Sequence, residues 1–139
     1  MTEKRLLQAM VCVACLVPLG AGGAGMIMGP WMVTADAPPA LDSHFRNLSG
    51  LLFAIGVGFL TTVPHIETQG QRFRLLAAIV VVGGIGRLMG AMSGESVPGA
   101  MLAALAMELA VTPVLALWQH RVSKHAALRE ADAVEAGPA

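Results

Sequence analysis

Four apolar stretches, residues 6–33, 45–63, 73–92 and 100–118, decide the solvent in which this chain can fold. A helix that crosses a bilayer needs about 20 predominantly apolar residues, and every stretch reaches or approaches that length. Together they occupy most of the 139 residues, which leaves no room for a soluble domain of ordinary size. Composition agrees, with 55% hydrophobic residues, 13% charged residues and no formal net charge. A water-soluble domain of this length is much less apolar. The sequence therefore predicts an all-α chain, a transmembrane four-helix up-down-up-down bundle over residues 1–120, followed by a cytoplasmic C-terminal tail over residues 121–139.

The basic residues predict the orientation, because Lys and Arg in short flanking segments are retained on the cytoplasmic side. Lys4, Arg5, Arg72, Arg74, Arg121, Lys124 and Arg129 flank one end of the spans, whereas Arg46 stands at the other beside Asp36, Asp42 and Glu95. Both termini are expected in the cytoplasm, with the 34–44 and 93–99 loops outside. Lys4-Arg5 ahead of an apolar run also fits a secretory leader. The run continues to residue 33 without a clear stop, so it is read as a retained first helix. Trp31 and Trp118 fall where interfacial anchors belong.

Proline and glycine punctuate the spans. Pro18 predicts a bend in the first helix, and Pro113 predicts a kink in the fourth by its clash with the carbonyl of Leu109. Gly50, Ala54 and Gly58 in the second helix, and Gly86 and Gly90 in the third, have the small-residue spacing that brings membrane helices together. Asp42 or Ser43 is the expected N-cap of the second helix. Residues 122–134 read as a separate short surface helix, and residues 135–139 as a frayed end.

Arg87 is the most demanding polar residue, a guanidinium inside the third apolar run. Placing such a charge in a bilayer costs roughly 2.5 to 3.5 kcal/mol on insertion scales. Its expected partner is Glu108, the one carboxylate within the apolar runs. Counting about 1.5 Å per residue from the 93–99 turn puts Arg87 about 9 Å and Glu108 about 13 Å deep. Asp42 and Arg46 share a helix face at i,i+4 spacing. Asp42, His44, Arg46, Asn47, Arg87, Glu108 and Thr112 are thus the candidate ligand-binding residues, all in the outer half. The inner half offers no comparable set. One use of the cluster is an ion pair that fixes helix register. Another is a pocket for an anionic or amphiphilic molecule, favoured by two arginines facing one deep carboxylate. A third is proton transfer by Glu108 with His44.

Other motifs carry less. Cys12 and Cys15 spell C-x-x-C on one helix face without a second pair to relay electrons, and read as apolar filler. His65, His120 and His125 lack metal-ligand spacing, so no metal, cofactor or catalytic residue is assigned. Asn47-Leu48-Ser49 spells a glycosylation sequon at a helix start and reads as accidental.

The string Leu41-Asp42-Ser43-His44-Phe45-Arg46 with Leu48-Ser49-Gly50 resembles a bacterial family of short membrane proteins, domain of unknown function family 4345. Pro64-His65-Ile66-Glu67, Gly83-Gly84 with Arg87, and Glu108 with Pro113 and Trp118 extend the resemblance over roughly residues 10–120. It implies a four-helix bacterial integral membrane protein and no catalytic residues, and the expected location of the chain is a bacterial inner membrane. The expected function is binding of a membrane lipid or a small anionic or amphiphilic ligand. The alternatives are a structural or accessory subunit, as a homo-oligomer or in a larger membrane complex, and an isomerase-like intramembrane enzyme. Nucleic acid is not an expected partner.

Overall fold

The computed structural model describes residues 2–34, 37–93 and 98–135. Asp36, Glu95 and residues 136–139 of the expected frayed end lie outside the described residues. Every element is helical: α1 (Thr2–Met28), a 3-10 turn (Gly29–Met32), α2 (Pro39–Thr62), α3 (Gly70–Met92), α4 (Gly99–Ala106), a π-turn (Met107–Val111) and α5 (Thr112–Glu135). The last three run on as one helical rod, so among the described residues four segments are long and apolar enough to cross a membrane. At about 1.5 Å per residue, the 24 residues of α2 and the 23 of α3 exceed a hydrocarbon layer about 30 Å thick. The expected all-α class and four spans are present.

The chain divides into two compact units, one of residues 9–63 and one of residues 1–8 with 64–139. In the first, most of α1 meets α2 through glycine. A Cβ on Gly22 would lie 2.6 Å from the backbone nitrogen of Phe53 and 2.8 Å from the carbonyl of Ser49. No side chain fits there, because what it would meet is backbone. Gly56 receives the rings and branches of Pro18 and Leu19, whose atoms would be 3.1–3.2 Å from an added Cβ. The close approach therefore uses Gly22, Gly25 and Gly56, whereas at Gly50 a Cβ would make only ordinary contact with Met26. The helix is also assigned without interruption on both sides of Pro18.

The second unit packs α3 along the rod formed by α4, the π-turn and α5, with the start of α1 closing one end. Leu7, Ile66, Phe73, Ala77, Leu115 and Val122 are its buried apolar residues. Gly84 is the contact glycine of α3, since its Cβ would lie 2.8 Å from both Glu108 Cβ and Leu109 Cδ2. Gly86 and Gly90, expected to form that contact, are exposed with nothing near an added Cβ.

Two boundaries differ from the sequence reading. α2 begins at Pro39 behind Pro38, so Asp42 lies in the first turn instead of capping it. Proline suits the first helical position because its missing N–H would have no partner there in any case. Residues 122–134 do not form a separate helix. α5 carries the fourth span unbroken to Glu135.

Candidate functional site

Pro113 sets the geometry around Glu108. It has no N–H for the carbonyl of Leu109, and its ring would crowd that carbonyl in a regular α-helix. The rod widens by one residue instead. Residues Met107–Val111 adopt π geometry, and the carbonyl of Met107 accepts both the Thr112 N–H and the Thr112 hydroxyl, the latter at 2.8 Å. The expected kink site is therefore a π-turn, and Glu108 is part of it.

From this turn the carboxylate reaches Arg87. Arg87 Nε donates to Glu108 Oε2 and Nη2 donates to Oε1, both at 3.0 Å. The two-pronged geometry is the strong form of this pair. Arg87 stands five residues before the end of α3, about 8 Å deep. Its side chain remains 39% exposed, whereas that of Glu108 is only 15% exposed. Nη1 has no partner among the described residues. Gly84 makes the pairing feasible by letting the Glu108 Cβ approach the backbone of α3.

Asp42 and Arg46 form a pair of their own in the other unit, with Arg46 Nε 3.1 and 3.0 Å from the two carboxylate oxygens. Arg46 Nη1 turns to backbone, donating to the carbonyls of Met26 at 2.6 Å and Ile27 at 2.9 Å. In an α-helix the Met26 carbonyl would take the N–H of residue 30, which is Pro30 and has none. Arg46 supplies the missing donor. It also brings positive charge to a helix end whose last turn contains no basic residue. Gly29 completes the corner with φ +65°. A Cβ there would sit 2.6 Å from both Arg46 Nη2 and Asp42 Oδ1.

His44 and Asn47 are exposed on α2, and the Thr112 hydroxyl is spent on the π-turn. The structure thus brings together Arg87 with Glu108, and separately Asp42 with Arg46. Each arginine has its own carboxylate, so the surplus positive charge inferred from the sequence is absent from both pairs.

A second polar set lies where the sequence reading finds none, at the end of the second unit that holds the chain's N-terminus. Lys4 Nζ and Glu67 Oε1 pair at 2.6 Å. Gln119, 0% exposed, donates through Nε2 to the Ile66 carbonyl at 2.8 Å and to Ser123 Oγ at 2.7 Å. Ser123 Oγ donates to the Glu67 carbonyl at 2.6 Å. These bonds hold the 64–69 loop against α5. Burial tends to raise the Glu67 pKa, but the hydrogen bond from Lys4 and the positive charges of Lys4 and His65 outweigh it and hold it below the ordinary value. Nearby, Trp118 Nε1 and Arg121 Nε both approach Glu3 Oε1, at 3.3 and 3.4 Å. The faint signal for this set was Gln119-His120-Arg121 following an apolar span, with Glu67 before α3.

Cys12 is exposed and Cys15 buried, and both are free thiols. Among the described residues no three His, Cys, Asp or Glu side chains gather as metal ligands.

Helices of this length and apolarity, with ionic side chains paired inside them, define the class as a multi-pass all-α membrane protein. Within it, the chain belongs to the family described as Domain of unknown function (DUF4345), whose model matches residues 6–119. That match takes in all four apolar stretches and the Asp42–Arg46 and Arg87–Glu108 pairs. No curated protein and no solved structure matches the chain.

Proposed function

We propose that this protein binds an amphiphilic molecule in the membrane and that the Arg87–Glu108 pair meets its polar head. The observation that carries this reading is the unfinished hydrogen bonding of Arg87. The fork uses Nε and Nη2, while Nη1 is left without a partner among the described residues on a side chain still 39% exposed. At membrane depth an unanswered N–H is costly, so an acceptor from outside the chain completes the site. Because Glu108 already balances the guanidinium, the favoured ligand is an acceptor-rich head group on an apolar tail, such as a lipid phosphodiester or ester, and not a free anion. Arg46 has a different task, with its Nε on Asp42 and its Nη1 on the end of α1.

Native mass spectrometry of the protein in mild detergent tests the proposal. Wild type should retain an amphiphile. Arg87→Ala should retain about tenfold less, the loss expected of one charge-assisted hydrogen bond. Unchanged ligand content in a folded Arg87→Ala protein overturns the reading.

A second reading has its own support in Gly83, Gly86 and Gly90, which leave one side of α3 exposed with nothing within 4 Å of an added Cβ. Such a surface suits another membrane helix, from a second copy or a larger complex. Gly86→Leu should then reduce the mass of the assembly while ligand retention persists. An unchanged mass rejects this reading. For orientation we propose a bacterial inner membrane with both termini cytoplasmic, supported by the seven Lys and Arg residues flanking one end of the spans.

A further inference from the structure

We propose that the cleft between the beginning of α1 and α5 seats the head group of a zwitterionic phospholipid with a primary amine, of the phosphoethanolamine type. The cleft has a volume of about 600 Å³ and is lined by Thr2, Glu3, Leu6, Leu117, Trp118 and Arg121. It lies where the apolar spans give way to charge, at the level of a membrane's head groups. Leu6 and Leu117, 54% and 72% exposed, form an apolar wall suited to the first part of an acyl chain. Glu3 and Arg121 give the same cleft an ionic wall.

That ionic wall presents both signs side by side. Arg121 Nε and Trp118 Nε1 share a single oxygen of Glu3, at 3.4 and 3.3 Å, and both contacts are long. Glu3 Oε2 and the two terminal nitrogens of Arg121 have no partner among the described residues. The Arg121 side chain is 67% exposed, so its donors are accessible. An acceptor-only oxygen beside guanidinium donors complements an ammonium beside a phosphate. The amine donates to Glu3 and the phosphate accepts from Arg121, with Trp118 in the same lining. A lipid with only negative charge would place it against Glu3. A trimethylammonium head group would bring no N–H for the carboxylate. Charge complementarity therefore selects the primary amine.

Trp118 also supplies the readout. The chain has two tryptophans, so Trp31→Phe leaves Trp118 as the single fluorophore. The full chain is placed in phosphatidylcholine vesicles containing equal fractions of brominated-chain phosphatidylethanolamine, phosphatidylcholine or phosphatidylglycerol, and quenching is compared. The expected result is a two- to fivefold preference for the ethanolamine lipid, roughly what a partly exposed ion pair contributes. Glu3→Gln and Arg121→Gln should each abolish it while helical circular dichroism is retained. Equal quenching by the three lipids overturns the proposal. So does stronger quenching by the glycerol lipid, or a preference that survives Glu3→Gln. The comparison of head groups on the Trp31→Phe protein decides even if the Glu3 and Arg121 variants fail to fold.

Discussion

Arg46 repairs a helix that is not its own. The two carbonyls it binds belong to the end of α1, 19 and 20 residues earlier, and one of them was left without a donor by Pro30. The Asp42–Arg46 contact was legible in the sequence because i,i+4 spacing alone places both groups on one face. The carbonyl contacts were not, since they exist only after α2 folds back along α1 and Gly29 turns the corner at φ +65°. This makes Arg46 a stability residue with a measurable contribution. Arg46→Ala should destabilise the protein by about 1.5 to 3 kcal/mol, the range for a hydrogen bond to a charged group. Arg46→Lys should recover only part of that, because an ammonium cannot hold a carboxylate and two carbonyls with a planar fork. Denaturant unfolding in detergent, followed by circular dichroism, measures both. An alanine variant as stable as wild type contradicts the role assigned here.

Among the elements, the rod that contains Pro113 departs most from what its sequence suggests. Proline at that position signalled a disturbance correctly, but the spelling does not distinguish a kink from an inserted residue. The structure resolves it as a π-turn because Thr112 can satisfy the Met107 carbonyl twice. The difference matters for Glu108, since one extra residue in a turn rotates everything beyond it by about 100° relative to a regular helix. The glycine pattern was misleading for a related reason. Spacing alone identifies candidate contact faces on α3, whereas the contact made is at Gly84, where the π-turn carries Glu108 and Leu109. Pro113→Ala should let the rod return to α geometry and weaken the Arg87–Glu108 fork. A double-mutant cycle reads this directly. Glu108→Gln should cost clearly more stability in the wild-type background than in Pro113→Ala, and equal costs would show that the proline does not set the pairing.

For the molecule as a whole, the four membrane-length helices followed from length and hydropathy, and the ion pair at Arg87 followed from the cost of leaving a guanidinium in lipid. The polar set around Glu67 did not, because Lys4, Glu67, Gln119 and Ser123 are individually ordinary residues at the ends of spans. Only the fold collects them from three segments of the chain. This set makes stability depend on acidity in a defined direction. The Glu67 carboxyl is held below its usual pKa in the folded protein, against the opposing effect of burial, by the Lys4 hydrogen bond and the charges of Lys4 and His65. A carboxyl depressed by folding stabilises the native state above its unfolded pKa, and loses that contribution as pH falls from the ordinary carboxylate range through the folded value. The unfolding midpoint in detergent should therefore decline across that acidic window. Glu67→Gln should lower stability near neutral pH and flatten the decline, because its amide does not ionise and has no charge for Lys4 to meet. All other groups are common to the two proteins, so the difference between the two curves isolates Glu67. Parallel curves would mean that the Lys4–Glu67 contact contributes nothing to the folded state.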